Sequence, residues 1–196
     1  MTHARGPQRR ATPRMGMRRA LACAWLLVGL TPPAAAAHAT VYYARDQALK
    51  LAFPDADRVE PKTIFLTAAQ RAAIEAQAKS QLESDLLTVY VGYRGGQPIG
   101  YAVFDTHVVR TLPETFLVVL SPAGTVDATY LLAFYEPSEY APPERWLTQF
   151  HDAALSDELR LGRAIAGITG ATLTSEAVTG GLRRALAIHA VLLKEQ

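Results

Sequence analysis

Two hydrophobic periods alternate along the chain after position 40. In "ARDQALKLAFPDADRVEP" the apolar residues Ala48, Leu49, Leu51 and Phe53 recur at helical spacing, and Pro54 ends the pattern. Thr67 stands three residues before Gln70, the spacing of a capping box, and an alanine-rich run follows, which predicts a helix over 68–79. The period then changes. "LLTVYVGYRGGQPIGYAVFDTHVV" is rich in Val and Tyr and alternates, with Arg94-Gly95-Gly96-Gln97 as a hairpin turn. "TFLVVLSPAGTVDATYLLAFYE" repeats this around Pro122-Ala123-Gly124. The two segments predict four strands in an antiparallel meander. "PERWLTQF" (143–150) predicts a short helix entered through prolines, and "SDELRLGRAIAGI" has no single period. From Ser175 to Lys194 the helical pattern returns, with Val178, Leu182, Ala185, Leu186, His189 and Leu193 on one stripe. Gly180-Gly181 interrupts it at about 2 kcal/mol in propensity, which points to close packing there. The order of elements predicts an α+β domain, a β-meander flanked by helices.

The first 39 residues follow another logic. A basic and polar stretch precedes the apolar run "ALACAWLLVGL" (20–30), and "TPPAAAAHA" ends in Ala37-His38-Ala39, an A-x-A cleavage signal. This is the layout of a secretory signal peptide cut near Ala39, and it predicts a periplasmic protein delivered by the general export route. The apolar run is short for a membrane span, which takes roughly 17–25 residues. The sole cysteine, Cys23, lies inside this segment and too early in the run for lipid attachment. The chain from Thr40 onward therefore has no thiol for disulfide, cluster or thiolate chemistry. Removing the leader also changes the charge. All six of its basic residues are arginines (Arg5, Arg9, Arg10, Arg14, Arg18, Arg19), and without them the balance moves from +2 to −4. A mildly acidic domain lacks the basic face of a nucleic-acid binder. With 49% hydrophobic residues, it has the apolar content to build a core without cross-links, as a monomer.

One stretch concentrates hydroxyls and small residues just before the last helix: "AGITGATLTSEAVTGG", 166–181. Placed there, Thr174 or Ser175 reads as the N-cap. The start of a helix offers unpaired N–H groups and a partial positive charge, suited to a phosphate. Gly170 and Ala171 would let backbone approach a ligand closely. A plain helix cap behind a glycine turn explains the same residues.

"ITGATLTS" resembles the attachment motif of the FMN-binding domain family. That family includes the flavin-carrying subunits of the sodium-translocating NADH:quinone oxidoreductase and of the related electron-transport complex, and the periplasmic part of the nitrous-oxide reductase regulatory flavoprotein. The family motif runs Asp-x-x-Ser/Thr-Gly-Ala-Thr, and its last Thr is esterified to the phosphate of FMN by a flavin transferase. Thr169-Gly170-Ala171-Thr172 match it, and Leu173-Thr174-Ser175 fit its continuation. The leading Asp is replaced by Ala166, which puts recognition by the transferase in question. The resemblance extends to "GQPIGYAVF" and to "FYEPSEYAPPERWLTQF", and covers roughly 84–196. With the signal peptide over 1–39, the chain then divides into an N-terminal helical segment over 40–83 packed on the domain and, by the resemblance, an FMN-binding domain over 84–196. FMN would be joined to Thr172, with Thr169, Gly170, Ala171, Leu173, Thr174, Ser175, Glu136 and Tyr140 around it. The implied role is an electron carrier in a periplasmic or membrane-associated redox chain, with a flavin transferase and membrane or periplasmic redox proteins as partners. A flavin-free binding or assembly module of the same fold is the rival, and a flavin-dependent reductase is a third reading. Trp146 reads as a core anchor more readily than as a flavin-stacking residue. His107, His151 and His189 have no metal-ligand spacing.

Overall fold

A computed structural model describes residues 40–194. The expected signal peptide, its cleavage site and Cys23 lie outside the described residues. Among the described residues no helix is long and apolar enough to cross a membrane.

The centre is a six-stranded antiparallel sheet in the order β1-β6-β5-β4-β3-β2. Its strands are β1 (Thr40–Val41), β2 (Arg58–Phe65), β3 (Leu86–Arg94), β4 (Gln97–Val108), β5 (Pro113–Leu120) and β6 (Val126–Phe134). Strands β3 to β6 form the expected meander. The β3–β4 turn places Gly95 at φ 58° and Gly96 at φ 82°, two successive left-handed positions that a tight hairpin requires and glycine supplies.

The segment over 40–83, expected to be helical, supplies two strands as well as two helices. Strand β2 adds along β3, from Arg58↔Tyr93 to Phe65↔Leu86. Pro61 lies in its middle, which speaks against a central strand. The position is tolerated because β2 is an edge, where the ring can face away from the ladder. Strand β1 pairs with only two residues of β6.

Helices cover both faces. α1 (Arg45–Ala52) lies on one, where Ala48 and Phe53 pack with Ala102, Leu117, Val119 and Leu132. α2 (Ala68–Ala78), the short α3 (Glu144–Leu147) and α4 (Thr172–Leu192) lie on the other, over Val89, Val103, Phe116 and Val118. Successive residues such as Ala102/Val103 and Leu117/Val118 fall in opposite clusters, because side chains alternate between the faces of a strand. The Thr67–Gln70 capping box is formed at the start of α2, with Gln70 N–H donating to Thr67 Oγ1 at 3.2 Å. Arg183 on α4 binds the end of α2. It donates to Ala78 O at 2.7 Å and Gln77 O at 2.9 Å, and to Ser156 O and Leu159 O in the loop before α4. Gly181 has a packing reason: a Cβ there would stand 2.9 Å from Asp105 Oδ1 and would push on a carboxylate that Arg184 and His107 hold. Gly180 meets only ordinary contacts.

Candidate functional site

α4 begins at Thr172, three residues earlier than the sequence pattern indicated, and its N-cap is Ala171 rather than Thr174 or Ser175. The turn before it is the reason. Ala171 N–H donates to Ile168 O at 3.0 Å, closing a four-residue turn, and Gly170 occupies the third position at φ 82°. A residue with a side chain is strained in that conformation. Ser175 then fastens both ends of the turn. Its Oγ accepts from Ile168 N–H at 2.9 Å and donates to Ala171 O at 3.0 Å. It is fully buried. Ser175 is thus committed to holding the loop and has no cap to make. In consequence no side chain caps α4, and its first turn holds no carboxylate. The N–H groups of that first turn have no intrahelical acceptor.

These groups open onto a cavity of about 220 Å³ lined by Val109, Arg110, Glu136, Tyr140 and the run 170–174. Thr172 is exposed at its mouth and Thr174 is buried in its wall. The opposite wall comes from the β4–β5 connection. Glu136, just beyond β6, fixes that connection: its Oε1 accepts from the backbone N–H groups of Thr111 (2.7 Å), Leu112 (2.8 Å) and Arg110 (3.2 Å). The Thr111 N–H foremost among them holds the carboxyl below its usual range, against the opposing effect of burial. The Arg110 guanidinium lies 5.5 Å from the centre of the Tyr140 ring, at cation–π distance. With the charge of Glu136 met by backbone donors, Arg110 and the uncapped start of α4 give the cavity a preference for anions.

Seven of the nine residues singled out in the sequence line this one cavity: Glu136, Tyr140, Gly170, Ala171, Thr172, Leu173 and Thr174. The other two do not. Thr169 is an exposed turn residue, and Ser175 points back into the loop. Arg110 and Val109 were missed. They follow an alternating strand in "THVVRTLPE", and nothing in that pattern separates a cavity-lining arginine from an ordinary loop one.

Ala166 holds the place of the motif's Asp. Its methyl is exposed, and its backbone is fastened on both sides: Gln149 Oε1 accepts from its N–H at 3.0 Å, and Trp146 Nε1–H donates to its carbonyl at 2.6 Å. Trp146 is buried and meets Phe150 edge-to-face at 5.2 Å, the core anchor the sequence favoured. The loop that carries the motif is therefore placed by α3 and the helical turn after it, without help from an acidic side chain.

No protein-family model matches the chain, and no curated protein matches it in sequence. Among solved structures the chain is similar to the crystal structure of Shewanella oneidensis NqrC, with a TM-score of 0.50 and 12% identity over 78% of this chain and 89% of that one. The likeness is one of fold: an α+β domain with an antiparallel sheet and helices, as the sequence predicted.

Proposed function

We propose that this chain is an exported electron-transfer protein carrying FMN, joined by a phosphoester to Thr172. The observation that carries this reading is the position of Thr172. It is the first residue of an uncapped 21-residue helix, and it stands at the mouth of a cavity whose facing wall holds Arg110. A phosphate there would meet free N–H groups and the helix dipole together. The fold it shares with NqrC and the match of Thr169-Gly170-Ala171-Thr172 to the attachment motif support the same reading.

The residues present fit the group. Arg110 and the first turn of α4 would hold the phosphate, while Tyr140 and Leu173 offer flat and apolar surface beside it. FMN would supply reversible electron uptake and release. The protein's part is to bind, orient and shield. At about 220 Å³ the cavity is smaller than the roughly 300–1,000 Å³ of pockets that enclose a ligand. A flavin attached there would stay partly uncovered, and an uncovered ring suits a carrier that exchanges electrons on contact with other proteins. Attachment itself has a reason in the expected periplasmic location, where a flavin once lost would not be replaced. A flavin transferase and membrane or periplasmic redox proteins are the partners this role requires.

The test is intact mass after co-expression with a flavin transferase and export. One FMN minus water adds about 438 Da. The gain is expected in the wild type and absent in Thr172→Ala. Ala166→Asp is expected to be modified at least as fully as the wild type, since that side chain faces solvent. A colourless protein of unmodified mass would favour the flavin-free module, the reading that the absent Asp supports.

A further inference from the structure

A larger cavity, of about 520 Å³, lies away from Thr172 along the outer edge of β6. Its floor is the edge itself. β1 reaches only Ala133 and Phe134, and the residues after it add bonds from Tyr42 and Tyr43 N–H to Leu132 O. At the other end Val126 is taken up by Asp152 and Ala153, and Asp127 O meets His151 Nδ1 at 2.8 Å. Between these ends no backbone of the described residues pairs with 128–131 on the outer side. The open stretch is about 13 Å long at strand rise and closed at both ends, which leaves room for a compact molecule and not for a running strand.

Aromatic and acidic side chains stand out around it. Tyr42, Tyr43 and Tyr130 supply rings, and Asp127 and Glu144 supply carboxylates. Neither carboxylate is ion-paired among the described residues. Among the described residues no Lys or Arg lines the cavity; the basic side chain there is His151, whose Nδ1 is held by Asp127 O. Thr129, also on the lining, has its hydroxyl shut off from solvent and without a hydrogen-bond partner among the described residues. Burial, and then the neighbouring oxygens of Tyr43 and Glu144, raise the Tyr130 hydroxyl above its ordinary range, so electron-rich groups crowd together on this wall.

We infer that this cavity binds a small organic cation, an ammonium- or guanidinium-bearing molecule with an apolar body. Its charge would lie between the carboxylates of Asp127 and Glu144 and against the tyrosine rings, where cation–π attraction adds to ion pairing. Its N–H donors, where it has them, would meet the open carbonyls of the β6 edge. The site is separate from the cavity at Thr172 and does not depend on the flavin reading.

The experiment is a calorimetric titration of the purified protein with benzyltrimethylammonium and with 2-phenylethylamine, and with benzyl alcohol as the neutral comparison. Both cations are expected to bind saturably, and benzyl alcohol at least about tenfold more weakly. The double variant Asp127→Asn/Glu144→Gln is expected to weaken both cations by about tenfold or more. Tyr43→Ala, at a half-exposed position, should weaken them by about three- to fivefold. All three positions lie at the rim, and each variant's melting temperature shows whether it has folded. Three results would overturn the proposal: no saturable cation binding, equal binding of benzyl alcohol, or unaltered affinity in the folded double variant.

Discussion

Raising the pH from 7.5 to 10 should cost this fold most of the stability supplied by one histidine. His107 on β4 is buried with a carboxylate at each ring nitrogen: Asp105 Oδ1 lies 2.5 Å from Nδ1 and Glu114 Oε1 2.7 Å from Nε2. With both carboxyls ionised, both ring nitrogens face acceptors and the ring is an imidazolium. Arg184 from α4 completes the group with two bonds to Asp105, at 2.6 and 2.8 Å, and its Nη2 lies 3.2 Å from His107 Nδ1. Burial raises the Glu114 carboxyl above its ordinary value, and the contact with His107 opposes that rise. Burial alone would lower the imidazolium's pKa, but the hydrogen bonds to Asp105 and Glu114 outweigh it and raise it from 6.5 to about 9. At about 1.4 kcal/mol per pH unit, that difference is worth about 3.5 kcal/mol. The folded value lies above the unfolded one, so the contribution is complete below pH 6.5 and disappears as pH rises through 9. About 2 kcal/mol remains at pH 7.5 and almost none at pH 10. Asp105 stays ionised across this window. Burial pushes it up, but His107 and Arg184 hold it below its ordinary value. For a domain of this size the melting temperature should fall by about 4–8 °C from this source. The assay is thermal unfolding of the wild type and of His107→Gln across pH 7.5–10, with His107 titrated by NMR. The variant should be less stable at pH 7.5 and lose less on the way to pH 10. Equal losses in the two proteins, or a His107 midpoint between about 6 and 7, would refute the imidazolium assignment.

The motif loop and the α2–α4 contact give three more predictions. Ser175→Ala removes both bonds that tie the turn and should cost about 1–2 kcal/mol in a urea titration. The same variant should take up flavin more slowly than wild type in a mass-spectrometric time course, and equal rates would separate the loop from attachment. Gly170→Ala meets no atom within 4 Å but must hold a φ of 82°. Its expected cost is therefore pure backbone strain of about 1–2 kcal/mol, read from the shift in denaturant midpoint. Arg183→Met takes a donor from four carbonyls, of which Ser156 O keeps Leu159 N–H, and should lose about 3 kcal/mol or more. Arg183→Lys should recover little, because an ammonium cannot span the fork.

The parts of this fold legible in the sequence are those where local pattern and tertiary use agree. β3 to β6 read as Val- and Tyr-rich runs between turn signals; where helices cover both faces, neighbours such as Ala102 and Val103 are both apolar, one in each core cluster. The Thr67 cap and the Gly95-Gly96 turn are local structures complete within four residues, so their sequence is their geometry. β2 was not legible. It lies in a segment expected to be helical, its charges and Pro61 carry no strand pattern, and it becomes a strand by pairing along β3. The His107 group was not legible either. Asp105 and His107 are neighbours on a strand, but Glu114 and Arg184 arrive through the β4–β5 pairing and the crossing of α4, which no spacing announces.

The site shows the same division, and it bears on why the motif is spelled as it is. The sequence located the cavity through the run 170–174 yet misassigned the cap, because a hydroxyl before a helical pattern is ambiguous: it can face forward to the helix N–H groups or back to the loop. Here Ser175 faces back. That choice has a chemical consequence. A side-chain oxygen capping α4 would occupy the donors that an anion needs. With Ser175 spent on Ile168 and Ala171, the turn is tied at both ends, the helix start has no side-chain cap, and Thr172 stands exposed at its first position. The small residues serve this arrangement in distinct ways, Gly170 by its left-handed backbone and Ala171 by fitting a buried N-cap position. A helix start that only needed stability would keep its cap. One that gives it up, beside an arginine and an exposed hydroxyl, leaves open the donors that the phosphoester proposed at Thr172 would use.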